Sequence, residues 1–278
     1  MKILLAENCG FCFGVEKAIE KLEELLDKQS GLPIYTFGPI IHNPQVVEKF
    51  EQKGVKIIDS VDDISEGIVV IRSHGIHPEK LKQLQEKNVK IIDATCPFVK
   101  AAQNICSLLK KEKYYILIVG EHEHPEVEAL VGYAGKNSLV VKSADQVKDI
   151  NLKKKVGVVS QTTQPMKILK DVIDNLDWYN FKEIRVFDTI CDATTKRQES
   201  ALKIAKKADI MLVIGGHSSS NTKKLAQLCH DAGVKTYHIE SKNDLNKDWF
   251  INKKVVGITA GASTPSWVVD EVIKELRK

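Results

Sequence analysis

No apolar run in this 278-residue chain approaches the roughly 20 residues that a membrane-spanning helix needs, so no membrane role is expected. Nor is there a large excess of one charge. Lys and Arg number 41 against 37 Asp and Glu, which leaves +4 at pH 7, and the lysines are dispersed. That balance suits a small anionic substrate and gives no ground for nucleic acid as a partner. The opening MKILLA is soon interrupted by Glu7 and is too short for a cleaved leader. A cytoplasmic location is therefore expected. There, six cysteines read as metal ligands, redox groups or core packing before they read as structural disulfides. What the chain does have is 43% apolar residues, ample for a large core and, by length alone, about two domains.

The informative cysteines are Cys12, Cys96 and Cys191, in the contexts ILLAENCGFC, IIDATCPFV and VFDTICDAT. Each stands where an apolar strand run gives way to a helix start, and the last two share an Asp three residues earlier. Around them the same order of parts occurs three times. A strand, a Cys and an amphipathic helix come first, with apolar stripes at helical spacing: Val15, Ala18, Ile19, Leu22, Leu25 and Leu26; Val99, Ala102, Cys106 and Leu109; Ala201, Ile204, Ala205 and Ala208. A β-rich run ending in a polar loop follows (34–44, 114–127 and 209–222), then a helical stretch and a shorter strand. A last strand ends in a second polar loop (67–78, 155–165 and 254–265).

Strands alternating with helices imply parallel sheets and right-handed crossovers. The expectation is an α/β protein of three similar small units with mostly parallel sheets, arranged pseudo-threefold so that their loops face a common centre. The boundaries predicted are 1–96, 97–191 and 192–265, with a final helix over 266–278 packing back on the first unit. Lys153–Lys155 reads as a solvated turn.

In such sheets ligands gather at the carboxyl ends of strands, where all three thiols would lie. A thiolate at a helix N-terminus is favoured by the helix dipole, and Pro97 suits the first helical position after Cys96. One shared metal centre is the simplest reason to place three thiols equivalently. Soft thiolates select zinc, copper(I) or iron–sulfur clusters, and three of them on a four-iron cluster would leave one iron open to substrate. The plain alternative is packing. That reading is preferred for Cys106 and Cys229, which fall on apolar helix stripes. Cys9 makes a C-x-x-C with Cys12 but has no counterpart in the other two repeats, and reads as incidental.

The polar loops, two in each repeat, supply His42, His74, His124, Ser219, Ser220, Asn221 and Ser263 from five of the six. Imidazoles, hydroxyls, an amide and the glycine-rich backbone of GGHSSSN and TAGAS make a cage suited to phosphate or diphosphate, among several anions. Glu126, in HPEVE, is either a proton donor or an ordinary first-turn acid favoured by the helix dipole. Thr162, in SQTTQP, occupies the corresponding second loop and could orient or relay that proton.

GFCFGV, HNPQVV, SHGI, DATCPFV, HPEVE, SQTT, ICDATTKRQ, SSSNT and TAGAS, in this order, resemble the LytB family of 4-hydroxy-3-methylbut-2-enyl diphosphate reductases over essentially the whole chain. The resemblance implies a three-unit α/β fold around a central [4Fe–4S] cluster held by Cys12, Cys96 and Cys191. It implies that His42, His74, His124, Ser219, Ser220, Asn221 and Ser263 hold the diphosphate of the allylic substrate, with Glu126 as proton donor and Thr162 assisting. Ferredoxin or flavodoxin would supply electrons. Two departures stand beside the first ligand, namely Cys9 and Phe13, where family members carry a non-Cys and a small residue. The chain ends soon after TAGASTP, so the resemblance implies the reductase core without an appended domain. The competing readings are a cluster enzyme resembling quinolinate synthase, an iron–sulfur sensor without turnover, and a zinc hydrolase.

Overall fold

The computed structural model describes residues 1–28, 31–148 and 155–278. Lys153 and Lys154 of the expected turn lie outside the described residues, and Lys155 opens a strand. The chain falls into two compact units. One comprises Met1–Glu16, Ile41–Lys49 and Asp192–Lys278; the other comprises Lys17–Ile40 and Phe50–Cys191.

The second unit carries two four-stranded, all-parallel sheets. In the first, β2 (Ile34–Phe37), β3 (Lys56–Ile58), β4 (Glu66–Ile71) and β5 (Asn88–Asp93) lie in the order β3-β2-β4-β5. In the second, β6 (Tyr115–Val119), β7 (Ser138–Val141), β8 (Lys155–Ser160) and β9 (Glu183–Phe187) lie in the order β7-β6-β8-β9. The central strands are buried almost along their length, as near-continuous Val/Ile/Leu runs must be when helices cover both faces. Helix α4 (Pro97–Lys111) lays Ala102, Cys106 and Leu109 on Ile116 and Ile118, and α5 (Pro125–Ala134) adds Val127 and Leu130 to the same core. The remaining helices of this unit include α3 (Pro78–Gln85) and α6 (Met166–Asp174).

The first unit holds the third sheet. Here β1 (Lys2–Leu5), β10 (Ile210–Ile214), β11 (Lys235–Ile239) and β12 (Val255–Ala260) are parallel in the order β1-β12-β10-β11. Helices α7 (Asp192–Ala205) and α8 (Ser220–Asp231) pack Ala201, Ala205, Leu225 and Cys229 on Met211 and Val213. The last helix, α9 (Ser266–Leu276), buries Val268, Val269 and Val272 among Ile210, Ile258 and Ile3 of β1. Two further helices complete the chain, α1 (Phe13–Asp27) and α2 (Pro44–Gln52).

Hydrogen bonding ties the first strand of the sequence to the last in one sheet. Strand β1 does not join β2 to β5; Leu4 is in register with Gly257 of β12. Beside β4 the edge is filled by β5, and beside β8 by β9. Beside β12 the edge is filled by β1, from the opposite end of the strand order. Each informative cysteine therefore follows an edge strand that closes its sheet (β5, β9 or β1) instead of opening a new unit. Among the described residues no helix is long and apolar enough to cross a membrane.

Candidate active site

The three cysteine loops are built alike. Strands β4, β8 and β12 each lie next to the edge strand that precedes a cysteine. Two residues beyond each of them, a backbone carbonyl accepts the cysteine's own N–H: Cys96 N to Ser73 O (3.0 Å), Cys191 N to Thr162 O (3.0 Å) and Cys12 N to Ala262 O (3.1 Å). The cysteine carbonyl then starts a helix, accepting from Glu16 N at 2.9 Å after Cys12 and from Lys100 N at 2.9 Å after Cys96. Cys96 is the N-cap of α4, with Pro97 at the first helical position, and its thiol does not cap the helix. Cys12, Cys96 and Cys191 are all half-buried thiols at helix starts. The Asp shared by two of the contexts has a structural task. Asp93 Oδ1 accepts from Thr95 N (2.9 Å) and Asp188 Oδ1 from Ile190 N (3.1 Å), each closing a tight turn before its cysteine.

Cys106 and Cys229 are fully buried, and burial pushes both thiols up to about 12, as suits packing residues. The Cys9 thiol is raised by the same cause, against an opposing pull from Arg197. Phe13 is 54% exposed.

In the second unit a continuous chain of contacts runs between two of the cysteines. Ser73, which holds Cys96, is followed by His74, whose ring meets that of His124 edge-on with centroids 5.3 Å apart. His124 is the N-cap of α5, its Nδ1 accepting from Glu126 N at 3.2 Å. With Nδ1 as acceptor, the neutral ring carries its proton on Nε2, a donor for an anionic oxygen. Glu126 is only 1% exposed. Both its oxygens are engaged by one residue: Thr162 N donates to Oε1 at 2.6 Å and Thr162 Oγ1 to Oε2 at 2.8 Å. The carbonyl of that same Thr162 holds Cys191. His74, His124, Glu126 and Thr162 are thus brought together, from loops separated by up to 88 residues, in one hydrogen-bonded neighbourhood.

One glycine is indispensable here. Gly75, beside His74, has φ +78°, and a Cβ on it would lie 2.2 Å from Nε2 of Gln103, a buried polar residue on α4. Sequence reading did not single out Gln103, although a polar residue next to Ala102 on an otherwise apolar stripe is a usable signal.

The first unit holds the other five candidates, on the loops of His42 and Ser263 and at the start of α8. Ser263, one residue past the carbonyl that holds Cys12, donates through Oγ to His42 O at 3.1 Å. A Cβ on Gly216 would lie 2.6 Å from that same carbonyl, so the GGHSSSN loop needs glycine to approach the loop that ends at Asn43. Asn43, the N-terminal cap of α2 through its Oδ1 bond from Val46 N (3.0 Å), fixes the exit of that loop and was not foreseen. Ser219 caps α8, accepting from Thr222 N at 3.3 Å and Thr222 Oγ1 at 3.0 Å. Ser219, Ser220 and Ser263 are buried. Asn221 Nδ2 is a buried donor with no partner. An unpartnered donor at the first turn of a helix fits an acceptor-rich anion, because that turn also carries exposed N–H groups and positive dipole.

A half-buried thiol at a helix start has the chemistry of a soft-metal ligand, and buried hydroxyls with an unpartnered amide at the start of α8 have that of an anion site.

Comparison with known proteins gives a consistent result. The family described as LytB protein matches residues 3–277. A 4-hydroxy-3-methylbut-2-enyl diphosphate reductase of Geotalea uraniireducens is 46% identical over 278 residues, covering 100% of this chain and 98% of its own. One from Geobacter sulfurreducens is 44% identical over the same coverage. Among solved structures, the E-1-hydroxy-2-methyl-but-2-enyl-4-diphosphate reductase of Plasmodium falciparum aligns with a TM-score of 0.94 at 31% identity, covering 100% of this chain and 88% of that one. A second, an (E)-4-hydroxy-3-methyl-but-2-enyl diphosphate reductase described as the terminal enzyme of the non-mevalonate pathway, aligns at 0.71 with 41% identity, covering 100% and 99%.

Proposed function

This chain belongs to the LytB family, and from that membership we propose that it is an iron–sulfur oxidoreductase acting on 4-hydroxy-3-methylbut-2-enyl diphosphate. The reaction removes the allylic hydroxyl as water, with two electrons and two protons, giving isopentenyl diphosphate and dimethylallyl diphosphate, the last step of the non-mevalonate route. The observation that carries this reading is the buried Glu126 carboxyl, gripped at both oxygens by Thr162.

Cys12, Cys96 and Cys191 are the residues that would hold a [4Fe–4S] cluster, which supplies electrons and a Lewis-acidic iron for the leaving oxygen. Everything else falls to side chains. The Thr162 amide N–H occupies Glu126 Oε1 as a permanent acceptor site, so a proton carried by the carboxyl resides on Oε2. Thr162 Oγ1 donates to the unprotonated Oε2, 2.8 Å away; with the proton on Oε2 the bond reverses, so Oγ1 accepts it and can pass its own hydroxyl hydrogen to the departing hydroxyl. The Nε2–H of His124, the rings of His74 and His42, the hydroxyls of Ser219, Ser220 and Ser263, the α8 amides and Asn221 Nδ2 would hold the diphosphate. Anchoring that remote end positions the allylic carbon without spending the binding energy at the reacting atoms. Ferredoxin or flavodoxin fits the donor role, and the cytoplasm the location.

Glu126→Gln tests the assignment. General acids of this kind contribute about 10²–10⁴-fold, so turnover should fall by that factor while iron and sulfide content stay native. An iron–sulfur sensor would keep its output in this variant, and unchanged turnover would reject Glu126 as the acid.

A further inference from the structure

The three cysteine loops are alike except in one respect. Asp93 and Asp188 stand three residues before Cys96 and Cys191 and close their turns through Oδ1. Three residues before Cys12 stands Cys9, which has no carboxylate to do this. The turn is nevertheless tight, with Gly10 at φ +103°. Something else must hold it.

That something is on α7, the helix whose first residue follows Cys191. Arg197 is 4% exposed, and its guanidinium faces the turn. Nη1 donates to Asn8 O and to Ala260 O (2.9 Å), and Nη2 donates to Gly10 O at 3.0 Å. The two loop carbonyls flank Cys9, and the third lies two residues before the one that binds Cys12 N. The rest of the same helix face continues the splint: Ser200 Oγ accepts from Glu7 N at 2.9 Å, and Lys203 Nζ reaches Glu7 Oε1 at 3.2 Å. A buried guanidinium is costly unless its donors are used, and a planar fork is the group best shaped to bridge several carbonyls.

We propose that Arg197 is a positioning residue for the Cys12 ligand, replacing from a distant helix the aspartate-closed turn that the other two loops carry and placing a fixed positive charge against the carbonyls of that loop. The proposal rests on the reading of Cys12 as a cluster ligand. It deepens that reading by making the first ligand loop dependent on the helix that follows the third.

The test uses anaerobically purified full-length chain, native and with Arg197→Gln or Arg197→Lys. Three readouts are taken: amide hydrogen exchange of residues 7–12 against 88–96, the rate of iron extraction by a chelator, and the midpoint potential of the bound cluster. Supporting contacts of this kind are worth on the order of 10–100-fold in metal affinity. Arg197→Gln should therefore release iron at least about tenfold faster, with faster exchange confined to residues 7–12 and a more negative potential. Arg197→Lys keeps the charge and loses the fork, so its potential should stay near native while residues 7–12 still exchange faster. If the glutamine variant does not fold, the lysine variant carries the exchange comparison alone. Native exchange and iron release in the variants would overturn the proposal, as would exchange that rises equally at 88–96. Failure of the native chain to bind iron and sulfide would instead overturn the cluster reading, leaving the exchange comparison to judge Arg197 by itself.

Discussion

Replacing Thr162 by valine removes one of the two bonds on Glu126 and leaves the other. The backbone amide bond to Oε1 (2.6 Å) survives, since every residue supplies an N–H; the hydroxyl bond to Oε2 (2.8 Å) does not. Glu126 is 1% exposed, so water does not replace the lost donor freely. Leaving a buried polar group without its partner costs about 1–3 kcal/mol. At about 1.4 kcal/mol per factor of ten, turnover should fall roughly 10- to 100-fold if that bond persists to the transition state. If the loss falls on folding instead, each kcal/mol lowers Tm by about 2–4 °C in a chain of this size. Thr162→Ser retains the hydroxyl and should stay close to native on both measures. The assay is anaerobic reductant oxidation with excess substrate, paired with iron content and a thermal melt of each variant. Native turnover and native Tm in the valine variant would refute the account, and so would a serine variant as impaired as valine.

Two further outcomes follow from the same geometry. Gly75→Ala forces a side chain into φ +78° and against Gln103 Nε2, so it should cost about 1–2 kcal/mol, lower Tm, and raise KM through the displaced His74 loop; an unchanged melt and KM would contradict this. Burial holds the Cys106 and Cys229 thiols at about 12, so both remain protonated and unreactive at pH 8. Alkylation of the metal-depleted chain, followed by peptide mapping, should mark Cys12, Cys96 and Cys191 first; early labelling of Cys106 or Cys229 would contradict their place in the core.

Much of this was legible in the sequence because it is local. Apolar runs such as IMLVI and the stripes of α4 and α7 set element type through their period, and a thiol between a strand and a helix start places itself at a strand's carboxyl end. HPEVE and SQTT were visible as the two polar loops of one repeat, which the bond from Thr162 to Glu126 brings into contact. Other features depend on partners far away in the chain and leave no local trace. The four residues of β1 read as the start of a first unit, yet they complete the sheet of β10 to β12 by pairing with β12 from the other end of the strand order. Arg197 sits in TTKRQES, where nothing in the spacing distinguishes a buried guanidinium from a solvated one; its acceptors lie 187 to 189 residues earlier and 63 later. Cys9 read as incidental for lack of counterparts. Its position, three residues before Cys12, is the one Asp93 and Asp188 hold before Cys96 and Cys191, and their turn-closing bonds give that position its structural meaning.

The most direct test of the central claim is the oxidation of reduced methyl viologen by anaerobic, iron-replete protein when 4-hydroxy-3-methylbut-2-enyl diphosphate is added. The account predicts substrate-dependent oxidation, with isopentenyl and dimethylallyl diphosphates as products. Protein with iron and sulfide bound that leaves the viologen reduced would contradict it, and would turn attention to another cluster enzyme or a sensor.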